Sequence, residues 1–393
     1  MRPSCDPSKF VGDNVKRLPP SGIRRFFDLV TELDDVISLG VGEPDFATPW
    51  HIREMCIHSL EKGQTSYTSN YGLPELRDAL SRTYSHRYGL DYNPASEILV
   101  TTGVSEALDL AIRAVVNPGE EVVVVQPSYV AYLPAVMLAG GIPVPVSTTA
   151  EDEFRLTAET LEPALTEKTK AIVLNYPNNP TGAIMTRKDL EEIADLVVEH
   201  DLVVISDEVY ECLTYGGKHV PASSLEGLKE RTLMLNGFSK AYAMTGLRLG
   251  FAMGPSEIIH AMMLIHQYTM LCAPVTAQIG AIEALLNGTE EMERMIREYD
   301  RRRHFVMNGF DKIGLDCFTP KGAFYTFPYI GDTGLSSAEF AEGLLNERKV
   351  ATIPGDSFGE AGEGFLRCAY AASLEDLKIA LERMGDFIDG LKQ

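Results

Sequence analysis

The strongest constraint on the fold is an alternation of apolar runs with helical patterns between residues 98 and 252. The apolar runs are EILVTTG, EEVVVVQP, AIVLNYP, LVVISDE, RTLMLNG and LGFAMG, and the segment SEALDLAIRAVV after the first run has a helical pattern. Continuous runs of Val, Ile and Leu separated by amphipathic helices are typical of parallel strands that are buried on both faces. We therefore expect a large α/β domain with a mostly parallel central sheet flanked by helices.

The rest of the chain has a different pattern. After Pro255 it is helical through IIHAMMLIHQYTML and EEMERMIREYDRRRHFVMNGFDKIG, and short strands near GAFYTFP and FLRCAYA precede a final helix from Leu374. This pattern predicts a smaller α+β domain that the N-terminal segment completes. Because 393 residues are too many for one ordinary core, we expect a large domain at 45–280 and a small domain at 1–44 and 281–393.

The charge and the cysteines exclude several classes of protein. A formal net charge of -21, spread along the chain, makes nucleic acid a poor partner. The six cysteines lie far apart without CxxC spacing, which argues against a zinc site or a disulfide framework and favours a reducing cytoplasm. No apolar run approaches the length of a membrane span, so we expect neither a metal nor a membrane partner.

Two common nucleotide-binding motifs are also excluded. Gly40-Val41-Gly42 follows an apolar run as in a dinucleotide fingerprint, but Asp45 takes the place of the third glycine and would repel a pyrophosphate. The sequence contains no GxxxxGK[ST] loop. The two glycines still indicate a tight turn whose backbone another group can approach closely.

Turns with hydroxyl, amide or acidic side chains follow several predicted strands. In TTGVSEALDLAI, the amides of a helix N-terminus and the Ser105 hydroxyl could bind a phosphate, although a simple N-cap at Ser105 is the more common explanation of such a segment. In NYPNNPTG, turn chemistry alone explains the sequence, but Asn179 would stand at the edge of a parallel sheet where ligands bind. Asp207 ends a buried run, and this costly carboxylate should meet either an arginine or a protonated ligand nitrogen.

The segment NGFSKAYAMTGLRLG adds two cations to this pattern. Lys240 follows a predicted strand in a turn of small residues, and Arg248 is placed to bind an anion. A single lysine in a turn is usually only a solvated charge. Several such signals at successive strand ends indicate one binding site.

Together these motifs resemble those of the class I aminotransferases, which have fold type I and depend on pyridoxal 5'-phosphate (PLP). The resemblance runs from SLGVGEPDF through YPNNPTG, ISDEVY and NGFSKAYAMTGLRLG to FLRCAYA, and so covers nearly the whole chain. Within the family, the sequence is particularly similar to archaeal enzymes related to aromatic and aspartate aminotransferases. The fold that the resemblance implies has a large PLP-binding domain and a smaller α+β domain.

The resemblance also implies the catalytic roles. Lys240 would form a Schiff base with the cofactor and then carry a proton as general base and acid. Asp207 would pair with the protonated pyridine nitrogen and keep the ring an electron sink. Tyr210 and Asn179 would donate hydrogen bonds to the phenolate oxygen of the ring.

Five further residues match the cofactor-binding positions of the family. Arg248, Ser105 and the backbone amide of Val104 would hold the phosphate, and Val104 stands where relatives often have glycine. Tyr129 would stack on the cofactor ring, where relatives may carry Trp or Phe. Tyr67 matches the tyrosine that reaches the phosphate of the neighbouring subunit, so the resemblance implies a homodimer with shared active sites.

On the substrate side, Arg367 would bind the α-carboxylate in a bidentate manner, next to Asn179 and the backbone of Gly42. We therefore expect an aminotransferase that moves the amino group of an L-amino acid to a 2-oxo acid such as 2-oxoglutarate by a ping-pong mechanism. One alternative is a carbon–sulfur β-lyase, or other chemistry at Cα or Cβ, on the same fold. Another is a regulator without enzymatic activity, for which the chain offers no DNA-binding module. The sequence leaves the donor open between aromatic or neutral amino acids and aspartate.

Overall fold

The strands form three sheets in the computed structural model, which describes residues 6–19, 22 and 35–392. In chain order, the strands are β1 (Ile37–Ser38), β2 (Ile98–Thr101), β3 (Glu121–Gln126), β4 (Ile142–Ser147), β5 (Thr169–Asn175), β6 (Val203–Asp207), β7 (Thr232–Gly237), β8 (Gly250–Met253), β9 (Tyr325–Thr326), β10 (Val350–Ala351), β11 (Ile353–Pro354) and β12 (Leu366–Ala369). The central sheet has seven strands in the order β2-β8-β7-β6-β5-β3-β4.

Helices cover the sheets and connect their strands. The α-helices of the described part are Asp13–Lys16, Trp50–Glu61, Pro74–Tyr88, Val104–Val115, Tyr132–Leu138, Ala158–Leu161, Arg187–Glu199, Ser256–Thr269, Val275–Asn287, Thr289–Ile313, Ser337–Arg348 and Leu374–Leu391. No helix within these described ranges combines the length and apolar character that a membrane span requires.

The predicted α/β fold with a mostly parallel central sheet is confirmed. Strands β4, β3, β5, β6 and β7 are mutually parallel neighbours, and their apolar runs are buried between layers of helices. The last run, LGFAMG, forms β8, which is antiparallel to both β7 and β2 and so departs from the parallel arrangement expected of it. The reason is the short connection from Gly237 to Gly250, which contains only a 3-10 turn and no crossover helix.

The sequence interpretation missed β4 at the edge of the central sheet. This strand carries Pro143 and Pro145, and it pairs only with β3. Because proline cannot donate a backbone hydrogen bond, a proline-containing strand is tolerated at a sheet edge. The same prolines weaken the strand signal in the sequence.

Two small sheets contain the remaining strands. Strand β12 lies between β11 and β9 in an antiparallel sheet, and β1 pairs in parallel with β10, which joins the N-terminal segment to the C-terminal third. The Ala369 amide also donates to the Leu39 carbonyl at 2.7 Å. The boundaries at residues 44 and 280 stay a prediction.

The register of the central sheet positions the site. Asn175 at the end of β5 is paired with Asp207 at the end of β6, and Asp207 is paired with Leu235 of β7. The carboxyl ends of these parallel strands therefore meet at one edge, where ligands bind in open α/β sheets.

Substitution of Gly250 tests the close packing of β8 against the start of helix Val104–Val115. A Cβ atom at Gly250 would lie 2.6 Å from the backbone carbonyl carbon of Gly103 and 2.6 Å from the amide nitrogen of Val104. We expect Gly250→Ala to lower the free energy of unfolding by about 1–3 kcal/mol, because the backbone has to shift. Urea titration measures this change.

Gly246→Ala is the matched control for this substitution. Gly246 is exposed in the same connection, and a Cβ atom there would meet nothing within 4 Å. Its free energy of unfolding should change by less than about 0.5 kcal/mol. Equal stability of the two variants would contradict the close packing of β8 against the helix.

Candidate active site

A cavity of about 300 Å³ lies at the carboxyl edge of the central sheet. It is lined by ten of the eleven residues that the sequence nominates for the site: Gly42, Val104, Ser105, Tyr129, Asn179, Asp207, Tyr210, Lys240, Arg248 and Arg367. The eleventh, Tyr67, is outside the cavity and 82% exposed. The fold thus brings together residues as far apart in the chain as Gly42 and Arg367. Their individual roles stay predictions.

Lys240 places an amine inside the cavity. It follows β7 in a tight turn, and its Nζ donates a hydrogen bond of 2.6 Å to the Gly42 carbonyl. Burial, reinforced by the positive charges of Arg367 and Arg248, lowers the pKa of this amine to about 8, although Glu43 opposes the shift. A substantial fraction of the amine is therefore neutral near physiological pH, as a nucleophile or a general base requires.

Asp207 is a buried carboxylate that forms no ion pair within the described residues, although the charge of Lys240 partly offsets its burial. It accepts hydrogen bonds from the Tyr132 hydroxyl at 2.8 Å and from the Val209 amide at 3.2 Å. Within the described ranges, no arginine or lysine forms an ion pair with it, so the structural arginine considered from the sequence is not found there. Burial raises the pKa of Asp207 to about 6. A positively charged ligand atom would offset this cost.

The start of helix Val104–Val115 and Arg248 form a cradle for an anion. Gly103, with φ of 80°, is the N-cap residue and Ser105 lies in the first turn, so the simple N-cap interpretation of Ser105 is wrong. The first amides of a helix have no intrahelical acceptor and attract negative charge. The Arg248 guanidinium packs against this turn, because a Cβ at Gly103 would lie 2.7 Å from Arg248 Nη2.

Arg367 is a buried guanidinium on β12, with only 3% of its surface exposed. Its Nη1 donates to Asn179 Oδ1 at 2.9 Å and its Nη2 donates to the Gly40 carbonyl at 2.6 Å. Its buried Nε has no hydrogen-bond partner, and no carboxylate in the described part of the chain pairs with it. The arrangement is suited to a carboxylate supplied by a ligand.

Sequence reasoning missed several residues that line or support the cavity. Tyr132 binds Asp207, and its signal was its position three residues after Tyr129 in SYVAYLP. The Asn175 amide donates to the Asp207 carbonyl at 3.0 Å and its Oδ1 accepts from the Asn179 amide at 3.0 Å, which joins two neighbouring strand ends. Tyr325 also lines the cavity, but nothing in GAFYTFP shows which strand it faces.

One cavity combines four features: the amine of Lys240, the buried carboxylate of Asp207, the anion cradle at Arg248 and the buried Arg367. This combination is typical of an enzyme that binds a charged cofactor and a carboxylate substrate. Comparison with known families agrees with this geometry. The model of the family described as aminotransferase class I and II matches residues 34–384. The chain belongs to this family.

Individual relatives align over nearly the whole chain. The aspartate aminotransferase of Pyrococcus abyssi is 48% identical over 377 residues, which are 95% of this chain and 97% of that protein. Aromatic-amino-acid aminotransferase 2 of Thermococcus litoralis is 46% identical over 377 residues, with the same two shares of 95% and 97%. The crystal structure of the aromatic aminotransferase from Pyrococcus horikoshii matches with a TM-score of 0.90 at 48% identity, covering 93% of this chain and 99% of that chain.

The protein is therefore a PLP-dependent aminotransferase with fold type I, and the cavity fits this cofactor. Asp207 forms no ion pair among the described residues, so a protonated ring nitrogen would offset its burial, and the first amides of helix Val104–Val115 with Arg248 would hold the phosphate. The Lys240 amine lies in the same cavity. Charge and position thus agree with each part of PLP.

Asp207→Asn tests whether burial raises the pKa of the Asp207 carboxyl in the cofactor-free protein. A carboxyl whose pKa rises from 3.8 when unfolded to about 6 when folded binds protons more tightly in the folded state. Its contribution to stability is then present at low pH and is lost as pH rises to about 6. Relative to wild type, Asp207→Asn should gain roughly 2.4 kcal/mol of unfolding free energy between about pH 4 and pH 7.

The measurement is a series of urea titrations of both proteins across this pH range. The change of this difference with pH is the relevant quantity, because the asparagine variant has no ionisable group at position 207. A difference that does not change with pH would mean that folding leaves the pKa of Asp207 unshifted, and a change of opposite sign would mean that a cation lowers it.

Proposed function

We propose that the enzyme moves the amino group of a neutral or aromatic L-amino acid to a 2-oxo acid, with 2-oxoglutarate as the acceptor. The supporting observation is the set of cations that line the cavity from this chain: Lys240, Arg248 and Arg367. Each matches a role toward the cofactor or the α-carboxylate, so none is left for the distal carboxylate of aspartate. Ser105 occupies the position where some bacterial relatives that use aspartate have a lysine.

The names of the relatives do not decide between these donors, because they include both aromatic and aspartate aminotransferases. The lining of the cavity supports the proposal of a neutral or aromatic donor. Glu43 lines it beside Gly42 and adds negative charge near the substrate, while Tyr129 and Tyr325 add aromatic surface. A neutral or aromatic side chain avoids the repulsion that a second carboxylate on the donor would meet. The distal carboxylate of 2-oxoglutarate enters the same cavity in the other half-reaction, so a group other than these three cations has to accommodate it.

PLP withdraws electrons from the substrate Cα when it is bound and so eases removal of the Cα proton. Lys240 would take that proton on its Nζ as general base and release one again as general acid, since burial lowers the pKa of its free amine to about 8. Arg367 orients the α-carboxylate. Asp207 would stabilise the positive charge of the ring nitrogen, and Tyr210 and Asn179 would donate to the ring oxygen.

Lys240→Ala should abolish amino transfer while the protein still folds. We expect turnover to fall by at least about 10²–10⁴-fold, because the proton carrier is lost, and the visible absorption of covalently held cofactor to vanish. Lys188→Ala is the control, since this lysine is exposed on helix Arg187–Glu199. Substantial turnover in Lys240→Ala would refute the assignment.

Assays of the wild-type enzyme without a 2-oxo acid distinguish the two candidate reactions. Amino transfer stops when the 2-oxo acid is omitted, whereas β-lyase activity continues.

We further propose a homodimer in which Tyr67 reaches the cofactor phosphate of the partner subunit. Tyr67 is 82% exposed and is not part of its own cavity lining, although its loop is well anchored. The Asn70 amide donates to the Leu271 carbonyl at 2.7 Å and the Gln278 amide donates to Thr68 Oγ1 at 3.1 Å. Tyr268 is likewise 86% exposed, so a second copy would cover aromatic surface that a single chain leaves open.

Mixed dimers test this arrangement. A dimer of one Tyr67→Ala subunit and one Lys240→Ala subunit has one cavity with both defects and one with neither. Mixing the two variants should therefore restore activity that neither homodimer shows at subsaturating PLP. Subunit exchange without any recovery would mean that Tyr67 does not serve the partner subunit.

We also propose the domain boundaries and the location of the protein. All seven strands of the central sheet lie within residues 45–280, and all strands of the two small sheets lie outside this range, which supports a large domain at 45–280 and a small one at 1–44 and 281–393. The five cysteines in the described part are free thiols, which supports a reducing cytoplasm.

A further inference from the structure

Tyr325 contacts residues from both halves of the active site. It belongs to β9, is 1% exposed and lines the cavity. Its hydroxyl oxygen lies 2.7 Å from the hydroxyl oxygen of Tyr210, and the two rings meet edge to face. A Cβ atom at Gly42 would lie 2.7 Å from the same Tyr325 hydroxyl, so the hydroxyl is enclosed between Tyr210 and the backbone that accepts the Lys240 hydrogen bond.

The Tyr325 ring has a separate contact with Arg367. Tyr325 is paired with Ala369 on the neighbouring strand β12, and Arg367 is two residues from Ala369, so both side chains lie on one face of the sheet. The Arg367 guanidinium carbon is 4.6 Å from the centre of the Tyr325 ring, within the range of a cation–π contact. Hydroxyl and ring can therefore be tested independently, since phenylalanine removes only the hydroxyl.

A hydrogen bond between two hydroxyl groups requires one to donate and the other to accept. Under the proposed function, Tyr210 donates its proton to the ring oxygen of PLP, which leaves the Tyr210 oxygen as an acceptor. Within the described part of the chain, Tyr325 is the only side chain that forms a hydrogen bond with this oxygen. A hydroxyl that accepts a hydrogen bond becomes a stronger donor itself.

We propose that Tyr325 is a positioning residue that donates to the Tyr210 hydroxyl and thereby fixes Tyr210 as the donor toward the cofactor. This inference rests on the proposed role of Tyr210. The cofactor-binding hydrogen bond then depends on β9 of the small sheet as well as on the central sheet. Through its ring contact with Arg367, Tyr325 also fixes the position of Tyr210 relative to the residue that binds the substrate carboxylate.

The test is the pH titration of the visible absorption of bound PLP in wild type and Tyr325→Phe. A strong hydrogen bond from Tyr210 stabilises negative charge on the ring oxygen, so it favours the deprotonated form of the bound cofactor. Loss of the Tyr325 hydroxyl weakens that bond. We expect the titration midpoint to rise by roughly 0.2–0.5 pH units, while KM for the amino donor is unchanged because the ring over Arg367 remains.

The charged groups around the tyrosine pair are the same in both proteins. Lys240, Asp207, Arg367 and Glu43 face the pair from the turn after β7, from β6, from β12 and from the Gly42 segment. A shift between wild type and Tyr325→Phe therefore reports the hydroxyl and not a lost charge.

Tyr215→Phe is the matched control. Tyr215 is also buried, but its hydroxyl donates to the Ala323 carbonyl and does not line the cavity. That carbonyl keeps a second donor, Tyr370, at 3.0 Å. The titration of Tyr215→Phe should match that of wild type, and an equal shift in this variant would overturn the proposal.

The double variant Tyr210→Phe/Tyr325→Phe decides whether the effect passes through Tyr210. Tyr210→Phe alone should shift the midpoint upward by more than Tyr325→Phe, and adding Tyr325→Phe to it should cause no further shift. A further shift in this background, or none in Tyr325→Phe alone, would overturn the proposal. If Tyr210→Phe itself causes no shift, the role assigned to Tyr210 is wrong, and the inference about Tyr325 falls with it.

Discussion

Two buried charged residues that form no ion pair among the described residues govern the organisation of the site. Asp207 at the end of β6 and Arg367 on β12 are each less than one-tenth exposed, and neither forms an ion pair within the described part of the chain. Burial of an unpaired charge is costly, and proteins tolerate it where a ligand supplies the missing partner. A cofactor with a protonated ring nitrogen and a substrate with a carboxylate have these charges, which is why the cavity is suited to amino transfer with PLP.

The two charges come from different sheets, so the site depends on how the sheets are joined. Asp207, Tyr210 and Lys240 follow strands of the central sheet, whereas Arg367 and Tyr325 belong to adjacent strands of the small antiparallel sheet. Contacts between the two sets are direct: Tyr210 meets Tyr325, and Asn179 accepts from Arg367. Under the proposed roles, the same small group of hydrogen bonds joins the residues that bind the cofactor to the residue that binds the substrate carboxylate.

Much of this arrangement could be predicted from the sequence, because the determining signals are local. Buried runs such as LVVISD specify parallel strands, and a polar residue at the end of each run marks the edge where Asp207 and Lys240 lie. The direction of β8 was not predictable from its own residues, since the short connection after Gly237 determines it. Strand β4 was missed because its two prolines resemble a break in a strand. Contacts between distant segments explain what else the sequence left out. Gly103 is the N-cap of helix Val104–Val115, where its positive φ and missing side chain leave room for the Arg248 guanidinium, and Tyr325 is placed by the register of β9 with β12.

Transfer of a labelled amino group tests the central claim most directly. The enzyme with bound PLP is incubated with a ¹⁵N-labelled neutral or aromatic L-amino acid and unlabelled 2-oxoglutarate, and the products are analysed by mass spectrometry. The account predicts that ¹⁵N appears in glutamate in a one-to-one ratio with the 2-oxo acid formed from the donor. Release of the label as ammonium, with no labelled glutamate, would contradict it.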